Sequence, residues 1–291
     1  DDPNRPDQGA QAPLLLHMPL HSNSVFIARY RMSVPAQAIK IPDLPLAAVA
    51  RAQAQVNALV LGKSEQVRMA FIALLAGGHV LIEDLPGLGK TTLAQALAAT
   101  LGLSFQRIQF TSDLMPADVL GISVYDAPAH KFSFHPGPIF TQVLLADEIN
   151  RAPPRTQSAL LEAMAEGQVS ADGQTYHLRK PFMVVATQNP IEMEGTYPLP
   201  EAQRDRFMAR IEMGYPAHES EVAMLTAQAG GDQMETISAV TDVDFISRAS
   251  EAIRSIYVAP MMNEYIVRLV DATRNSPDLR LGASPRASLH L

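Results

Sequence analysis

The sequence contains no cysteine and no tryptophan, and only 5 of its 23 basic residues are lysine. Without cysteine, the chain has no disulfide framework, no thiol nucleophile and no sulfur ligand for a metal. The formal net charge is -7 at pH 7. Because contacts to a phosphate backbone need clustered lysine and arginine, this charge argues against a general nucleic-acid-binding protein.

Long apolar runs are also lacking. The longest one, around residues 70–82, is interrupted by Gly77, Gly78 and His79 and is too short to span a bilayer. We therefore expect a soluble cytoplasmic protein without stable membrane insertion. The 291 residues are enough for one α/β core of about 200 residues and a smaller helical domain.

A glycine-rich turn follows the apolar strand predicted at residues 79–83. Gly87 and Gly89 have no Cβ, so the backbone can fold around an anion and direct successive N–H groups at phosphate oxygens. Lys90 supplies a positive charge for the β- and γ-phosphates, and the Thr91 hydroxyl is placed to bind magnesium. The predicted helix after the turn adds the positive end of its dipole. This pattern predicts a triphosphate-binding loop.

Asp84 departs from the strict phosphate-loop pattern, which has glycine at that position. A weakened pattern also fits a glycine turn that binds nothing, so a second element is needed. The apolar run at residues 143–146 supplies it, because the run ends in the acidic pair Asp147 and Glu148.

The acidic pair should meet the glycine-rich turn, because parallel strands place their carboxyl ends at the same edge of a sheet. Asp147 can then hold magnesium through water, and Glu148 can polarise a water for attack on the γ-phosphate. An Asp-Glu pair that only caps the next helix is the alternative, and the neighbouring phosphate loop disfavours it.

A third apolar strand, predicted at residues 182–186, leads to Asn189 and Pro190. A neutral amide can accept and donate hydrogen bonds at once, so Asn189 could hold the attacking water or the γ-phosphate without neutralising it. An ordinary Asn-Pro turn fits the spacing equally well.

Four runs of residues resemble the MoxR family of AAA+ ATPases, in the helix-2-insert clade. They are long, and they occur in the order that the family has. The runs are residues 144–154, 186–192, 195–203 and 282–287. The resemblance implies an α/β fold with a P-loop AAA+ three-layer core, a five-stranded parallel sheet and a small C-terminal all-α lid.

The resemblance also implies site residues, position by position. Asp147 and Glu148 match the Walker B pair, with Asp147 and Thr91 holding Mg²⁺. Asn189 falls on the sensor 1 position and would act in catalysis with Glu148 and Lys90. ATP is the implied nucleotide. The residues implied to bind it are Pro86, Gly87, Leu88, Gly89, Lys90, Thr91, Thr92 and Arg286.

The resemblance implies roles for two arginines. Arg206 matches the catalytic arginine that reaches the γ-phosphate of a neighbouring subunit, and Arg286 matches the sensor 2 arginine of the lid. A guanidinium supplied in trans stabilises the transferring phosphoryl group and makes hydrolysis depend on assembly. A homo-oligomeric ring, expected to be a hexamer, is therefore implied. Arg204 stands where the family usually has leucine, so either Arg204 or Arg206 could face the next subunit.

Two further segments resemble the substrate-working parts of the family. Residues 111–121, followed by residues 132–140, resemble the helix-2 insertion, a hairpin that faces the pore of the ring and moves with nucleotide state. Residues 167–180 resemble the hairpin before sensor 1, with a turn predicted at residues 171–174. Ordinary polar connections are the alternative for both segments.

The expected domain order is a disordered extension at residues 1–31, an AAA+ core at 32–213 and a helical lid at 214–291. Helical periodicity at residues 243–273 supports the lid. The chain ends five residues after Arg286, where the family has more of the lid. We therefore expect a truncated lid that holds Arg286 weakly.

The sequence thus predicts an ATPase that works at subunit interfaces. From the resemblance alone, it would remodel, mature, activate or insert metal into protein complexes, beside a partner with a von Willebrand A domain. One alternative is a nucleotide-dependent binding switch with little turnover, which Asp84 and the short lid favour. Another is a nucleic-acid motor, which the acidic charge disfavours. The loops of this sequence contain no motif that identifies the client protein.

Overall fold

The computed structural model describes residues 46–128, 130–190, 195–228 and 233–291. The extension expected at residues 1–31 lies outside the described residues. The strands, in chain order, are β1 (Val80–Glu83), β2 (Phe105–Gln109), β3 (Gly121–Asp126), β4 (Lys131–Pro136), β5 (Val143–Asp147), β6 (Gln168–Ala171), β7 (Gln174–His177), β8 (Met183–Gln188) and β9 (Ala209–Ile211).

Helices alternate with the strands and continue beyond them. The described α-helices are α1 (Leu46–Leu59), α2 (Ser64–Ala76), α3 (Lys90–Thr100), α4 (Pro116–Leu120), α5 (Pro154–Glu166), α6 (Glu201–Arg204), α7 (His218–Gln228), α8 (Val243–Arg254), α9 (Pro260–Arg274) and α10 (Pro285–His290). Short 3-10 helices occur at Ile149–Arg151 and Gln233–Thr236.

A five-stranded parallel sheet in the order β2-β5-β8-β1-β9 forms the middle layer. Its central strands are almost entirely apolar and buried on both faces, as parallel strands covered by helices are. One face packs on α1, α2 and α3, and the other packs on α4 and α5. The expected α/β three-layer core with a five-stranded parallel sheet is confirmed.

Two antiparallel hairpins stand outside the central sheet. β3 pairs with β4 in the region expected to hold the helix-2 insertion, and β6 pairs with β7. The turn between β6 and β7 consists of Asp172 and Gly173, both with positive φ, 50° and 74°. Two-residue hairpin turns need that backbone, which glycine and aspartate tolerate. Phe134 of β4 stacks on Tyr176 of β7, with ring centroids 4.0 Å apart, and so joins the hairpins.

The C-terminal helices α8 and α9 differ in how many of their residues are buried. Asp242 caps α8 by accepting a hydrogen bond of 2.7 Å from the Phe245 N–H, and Ile246 and Ala249 of α8 are buried. In α9, Val270 is the buried residue. In the described ranges, no helix is long and apolar enough to cross a membrane. The division into a core and a lid at residue 214 stays a prediction.

His79 ties the start of β1 to two neighbours. Its Nδ1 accepts a hydrogen bond of 3.0 Å from the Val184 N–H, and its Nε2 lies 3.3 Å from the Met164 carbonyl oxygen. This pair of contacts requires a neutral ring with its proton on Nε2. Burial lowers the pKa of His79 to about 4, against the opposing effect of the Met164 hydrogen bond.

We expect acidification to destabilise the protein through His79. The unfolded state takes up the proton first, so the contribution of His79 is complete above pH 6.5 and is lost as the pH falls through 4. Between pH 7 and pH 4.5, wild type should lose about 2.5 kcal/mol more unfolding free energy than His79→Gln, measured by urea titration.

His177→Gln is the matched control, because His177 is exposed at the end of β7. This control should follow wild type across the same pH range. An identical pH dependence in wild type and His79→Gln would contradict the expectation.

Candidate nucleotide-binding site

The predicted phosphate loop connects the end of β1 to the start of α3. Gly87 and Gly89 have left-handed backbone, with φ of 82° and 81°, which glycine adopts without strain. Apart from each glycine and its two chain neighbours, no heavy atom of the described residues lies within 4 Å of a Cβ built at either position. The loop therefore borders open space, next to the positive end of the α3 dipole.

Lys90, the first residue of α3, lies at the base of this space. Its Nζ donates a hydrogen bond of 2.9 Å to the main-chain oxygen of Asp84. Burial lowers the pKa of Lys90, and the carboxylates of Asp147, Asp84 and Glu148 partly offset that effect. An anionic ligand beside Nζ would favour the ammonium form in the same way.

Asp147 ends β5 with its carboxylate held at both oxygens. Thr187 donates a hydrogen bond of 2.6 Å to Oδ1, and Arg107 Nη2 lies 2.7 Å from Oδ2. The side chain of Asp147 is only 13% exposed. Because its partners come from β8 and β2, which flank β5, the carboxylate is fixed by the sheet itself.

Glu148 has a left-handed backbone, with φ of 56° and ψ of 49°. Such a conformation costs a residue with a side chain on the order of 1 kcal/mol and is found at functional sites. The Glu148 N–H donates a hydrogen bond of 2.9 Å to Thr187 Oγ1. The Oε2 atom of Glu148 accepts a hydrogen bond of 2.8 Å from Gln109 Nε2 and lies 2.9 Å from Arg151 Nε. Thr187 therefore holds the strained backbone, and Gln109 and Arg151 hold the side chain.

These groups surround a cavity of about 440 Å³. It is lined by most of the residues that the sequence predicts for the site, including Asn189, which follows β8. The residues that line it are Pro86, Gly87, Gly89, Lys90, Thr91, Thr92, Arg107, Gln109, Asp147, Glu148, Asn189 and Met224. Leu88 instead packs its side chain against the core beneath the loop.

Thr91 and Asp147 offer hydroxyl and carboxylate oxygens, the ligands that Mg²⁺ prefers. In the described ranges, no group of three or more histidine, aspartate or glutamate side chains could hold a metal ion. Magnesium at Thr91 and Asp147 would therefore take phosphate oxygens and water as its remaining ligands, which suits this small, hydrated ion.

The predicted arginines lie elsewhere. Arg206 Nη1 donates to the Leu161 main-chain oxygen, and Arg286 Nη1 lies 3.5 Å from Asp205 Oδ2. Arg204 lies 2.5 Å from Glu201 Oε1 and 3.8 Å from Glu83 Oε1. None of the three is among the described residues that line the cavity.

A second cavity, of about 540 Å³, lies at the opposite end of the sheet and is bordered by His79, Phe182 and Arg254. It is the larger of the two, but the left-handed glycines that border it, Gly77 and Gly167, end helices α2 and α5, and a helix C-terminus is the negative end of the dipole. Size therefore does not identify the site, whereas the convergence of phosphate-binding and acidic groups does.

Sequence reasoning missed Thr187, Arg107, Gln109 and Met224. The alternation of β2 could have revealed two of them, because residues 107 and 109 share one face of a strand. Thr187 carries a weaker signal, a hydroxyl within an apolar strand. Met224 gives no signal, since its approach to the cavity depends on the tertiary position of α7.

Comparison with known proteins shows which family the chain resembles. Residues 79–209 match the family of ATPases associated with various cellular activities (AAA). An uncharacterized protein, YeaC of Bacillus subtilis, is 49% identical over 242 residues, which are 83% of this chain and 75% of that protein. Chaperone MoxR1 of Mycobacterium tuberculosis is 42% identical over 82% of this chain and 65% of its own length.

Two more matches extend the comparison. Protein MoxR of Paracoccus denitrificans is 33% identical over 82% of this chain and 77% of its own length. The crystal structure of a proposed ATPase from Cytophaga hutchinsonii superposes with a TM-score of 0.76 at 38% identity. That superposition covers 84% of this chain and 77% of the other.

We expect Thr187→Val to destabilise the protein by about 1–3 kcal/mol, because it leaves the Glu148 N–H without its acceptor and removes a donor to Asp147. Valine keeps the shape of threonine, so packing stays nearly unchanged. Thr187→Ser keeps the hydroxyl and should recover most of the loss in urea unfolding. Equal stability of the valine variant and wild type would contradict this account.

Proposed function

The chain belongs to the MoxR family of AAA+ ATPases, and on that basis we propose that it binds ATP with Mg²⁺ and hydrolyses it. The observation that carries the proposal is the convergence of Lys90, Asp147, Glu148 and Asn189 on one cavity. Those residues follow three different strands, and the parallel sheet brings their ends together.

The phosphate loop would bind the triphosphate. Backbone N–H groups of residues 87–92 and Lys90 Nζ would contact the β- and γ-phosphates. Thr91 and Asp147 would hold Mg²⁺, which neutralises phosphate charge when bound. Met224, at the edge of the cavity, offers a flexible apolar surface to the rest of the nucleotide.

Glu148 is the general base of the proposed reaction. A water oxygen attacks the γ-phosphorus, the bond from that phosphorus to the bridging oxygen of ADP breaks, and Glu148 accepts a proton of the water. Gln109 and Arg151 both contact Oε2, so we assign Oε1 to the water. The Asn189 amide would orient the water or the γ-phosphate without neutralising either.

Arg206 is a better candidate than Arg204 for the arginine supplied in trans. Arg204 lies beside Glu201 and Glu83 of its own subunit, and Glu83 is buried. Arg210 also pairs with Glu83, so the main cost of withdrawing Arg204 is the loss of its closer ion pair with Glu201, whereas Arg206 contacts a neutral main-chain carbonyl. Arg286 lies 3.5 Å from Asp205 Oδ2, and ATP binding by Arg286, as the sensor 2 arginine of the lid, stays part of the proposal.

A homo-oligomeric ring, with a hexamer as the expected size, would follow from arginines supplied in trans. A relative named as a chaperone supports an extension to protein clients. Tyr125 and Phe132, exposed on the β3–β4 hairpin, could supply apolar contacts to such clients. Maturation of protein complexes, metal insertion and a von Willebrand A domain partner belong to this proposal as well.

We expect steady-state phosphate release with ATP and Mg²⁺ to rise faster than linearly with protein concentration, because dilution separates each site from its arginine. Glu148→Gln should abolish release and retain ATP binding, since glutamine keeps the size of the side chain and cannot accept the proton. Release is measured by a coupled phosphate assay, and binding by equilibrium dialysis.

Turnover strictly proportional to protein concentration would contradict the assembly-dependent mechanism. ATP binding without turnover at any concentration would instead favour the nucleotide-dependent binding switch. Turnover that appears only with added DNA would favour a nucleic-acid motor.

A mixing experiment tests the arginine assignment. Lys90→Ala subunits lack the phosphate contact but carry Arg206, and Arg206→Ala subunits have the opposite defect. Each variant alone should be inactive, and a mixture should regain part of the wild-type rate, because some interfaces then combine an intact cavity with an intact arginine. The rate is followed by phosphate release.

Arg268→Ala provides the control, because Arg268 is an exposed arginine of α9 that pairs with Glu264. That variant should keep the wild-type rate. Failure of the mixture to exceed the two separate variants would contradict a contribution of Arg206 in trans.

A further inference from the structure

Asp84 is the residue that departs from the usual phosphate-loop pattern, and all its polar groups have partners. Its main-chain N–H donates to the Gln188 oxygen at 3.1 Å, and its main-chain oxygen accepts from Lys90 Nζ at 2.9 Å. The carboxylate accepts from the Leu85 N–H through Oδ1 at 2.8 Å. Through Oδ2, it accepts from the Gly214 N–H at 2.5 Å. Glycine at position 84 would lack both carboxylate contacts.

Gly214 is held from its other side by Lys63, which lies just before α2. Lys63 Nζ donates to the Gly214 oxygen at 3.0 Å and to the Tyr215 oxygen at 2.9 Å. Lys63 is only 8% exposed. A carboxylate and an ammonium group therefore act on the N–H and the carbonyl of one glycine, and charged partners make both hydrogen bonds stronger than neutral ones.

The held glycine introduces the helix that reaches the nucleotide cavity. Gly214 has φ of 62°, a backbone that turns the chain after β9. Four residues later α7 begins at His218, and its Met224 lines the cavity. Contacts thus run from Lys90 through Asp84 to Gly214, and three residues of chain connect Gly214 to α7.

We propose that Asp84 is a positioning residue that couples occupancy of the phosphate loop to the placement of α7. The coupling rests on the proposed nucleotide binding. Phosphate that attracts Lys90 Nζ alters its bond to the Asp84 oxygen, and the carboxylate of the same residue transmits the change to the Gly214 N–H. α7 then shifts with Met224, so that the cavity wall responds to its contents.

Amide hydrogen exchange read by mass spectrometry tests this coupling, with wild type, Asp84→Asn and Asp84→Gly compared with and without ADP. Asparagine keeps the shape but loses the charge and one acceptor oxygen, and glycine restores the usual loop residue. In the absence of ADP, both variants should exchange the Gly214 amide about tenfold faster or more. With ADP, protection of residues 218–228 should increase in wild type and stay unchanged in the variants.

Asp113→Asn is the matched control, because Asp113 is an exposed aspartate whose hydrogen bond goes to Thr111. It should behave as wild type in both conditions. ADP affinity, measured in parallel by equilibrium dialysis, should remain within about tenfold of wild type in Asp84→Gly, since that variant has the standard phosphate loop.

The outcomes separate the coupling from the function on which it rests. Unchanged Gly214 exchange in both variants would overturn the role of Asp84, as would an α7 response to ADP that survives Asp84→Asn and Asp84→Gly. Absence of ADP binding by wild type would overturn the proposed nucleotide site together with the coupling. A merely structural role would lower protection throughout the core and leave the ADP response of residues 218–228 in place, which also contradicts the proposal.

Discussion

The parallel pairing of β5 with β8, and of β8 with β1, is the constraint on which the rest of the site depends. Ala146 pairs with Ala186, and Ile82 pairs with Thr187, so the three strands end at the same edge. A shift of one residue would reverse the faces of a strand and move its polar end away from the others. The phosphate loop, the carboxylates of Asp147 and Glu148 and the Asn189 amide thus converge because the pairing register of the apolar strands aligns the strand ends.

This dependence explains which features the sequence could predict. The strands before Asp147 and Asn189 are apolar runs with polar ends, and the loop before Lys90 has glycine where the backbone needs positive φ, so local patterns suffice. Arg107 and Thr187 act across strands, and only the pairing register brings them to Asp147. That pairing register cannot be predicted from the local sequence of either strand.

The arginines illustrate a second limit. The resemblance assigned Arg286 to a nucleotide, yet the position of α10 places it on Asp205, where Ser284 also donates to the carboxylate. A motif gives the chemistry of a side chain, but the packing of its helix decides which cavity that chemistry can reach. Arg204 shows the same effect, because it forms a close ion pair with Glu201 within its own subunit.

The backbone of Glu148 has an implication for variation at this position. Its left-handed conformation is one that asparagine, aspartate and glycine adopt more easily than glutamate does. Each of those residues would relax the backbone, but asparagine and glycine have no carboxylate, and aspartate is too short to place its carboxylate where Glu148 does. Selection for stability alone would therefore favour another residue at position 148. Glutamate at this position is explained by its role in the reaction and costs the folded state some stability.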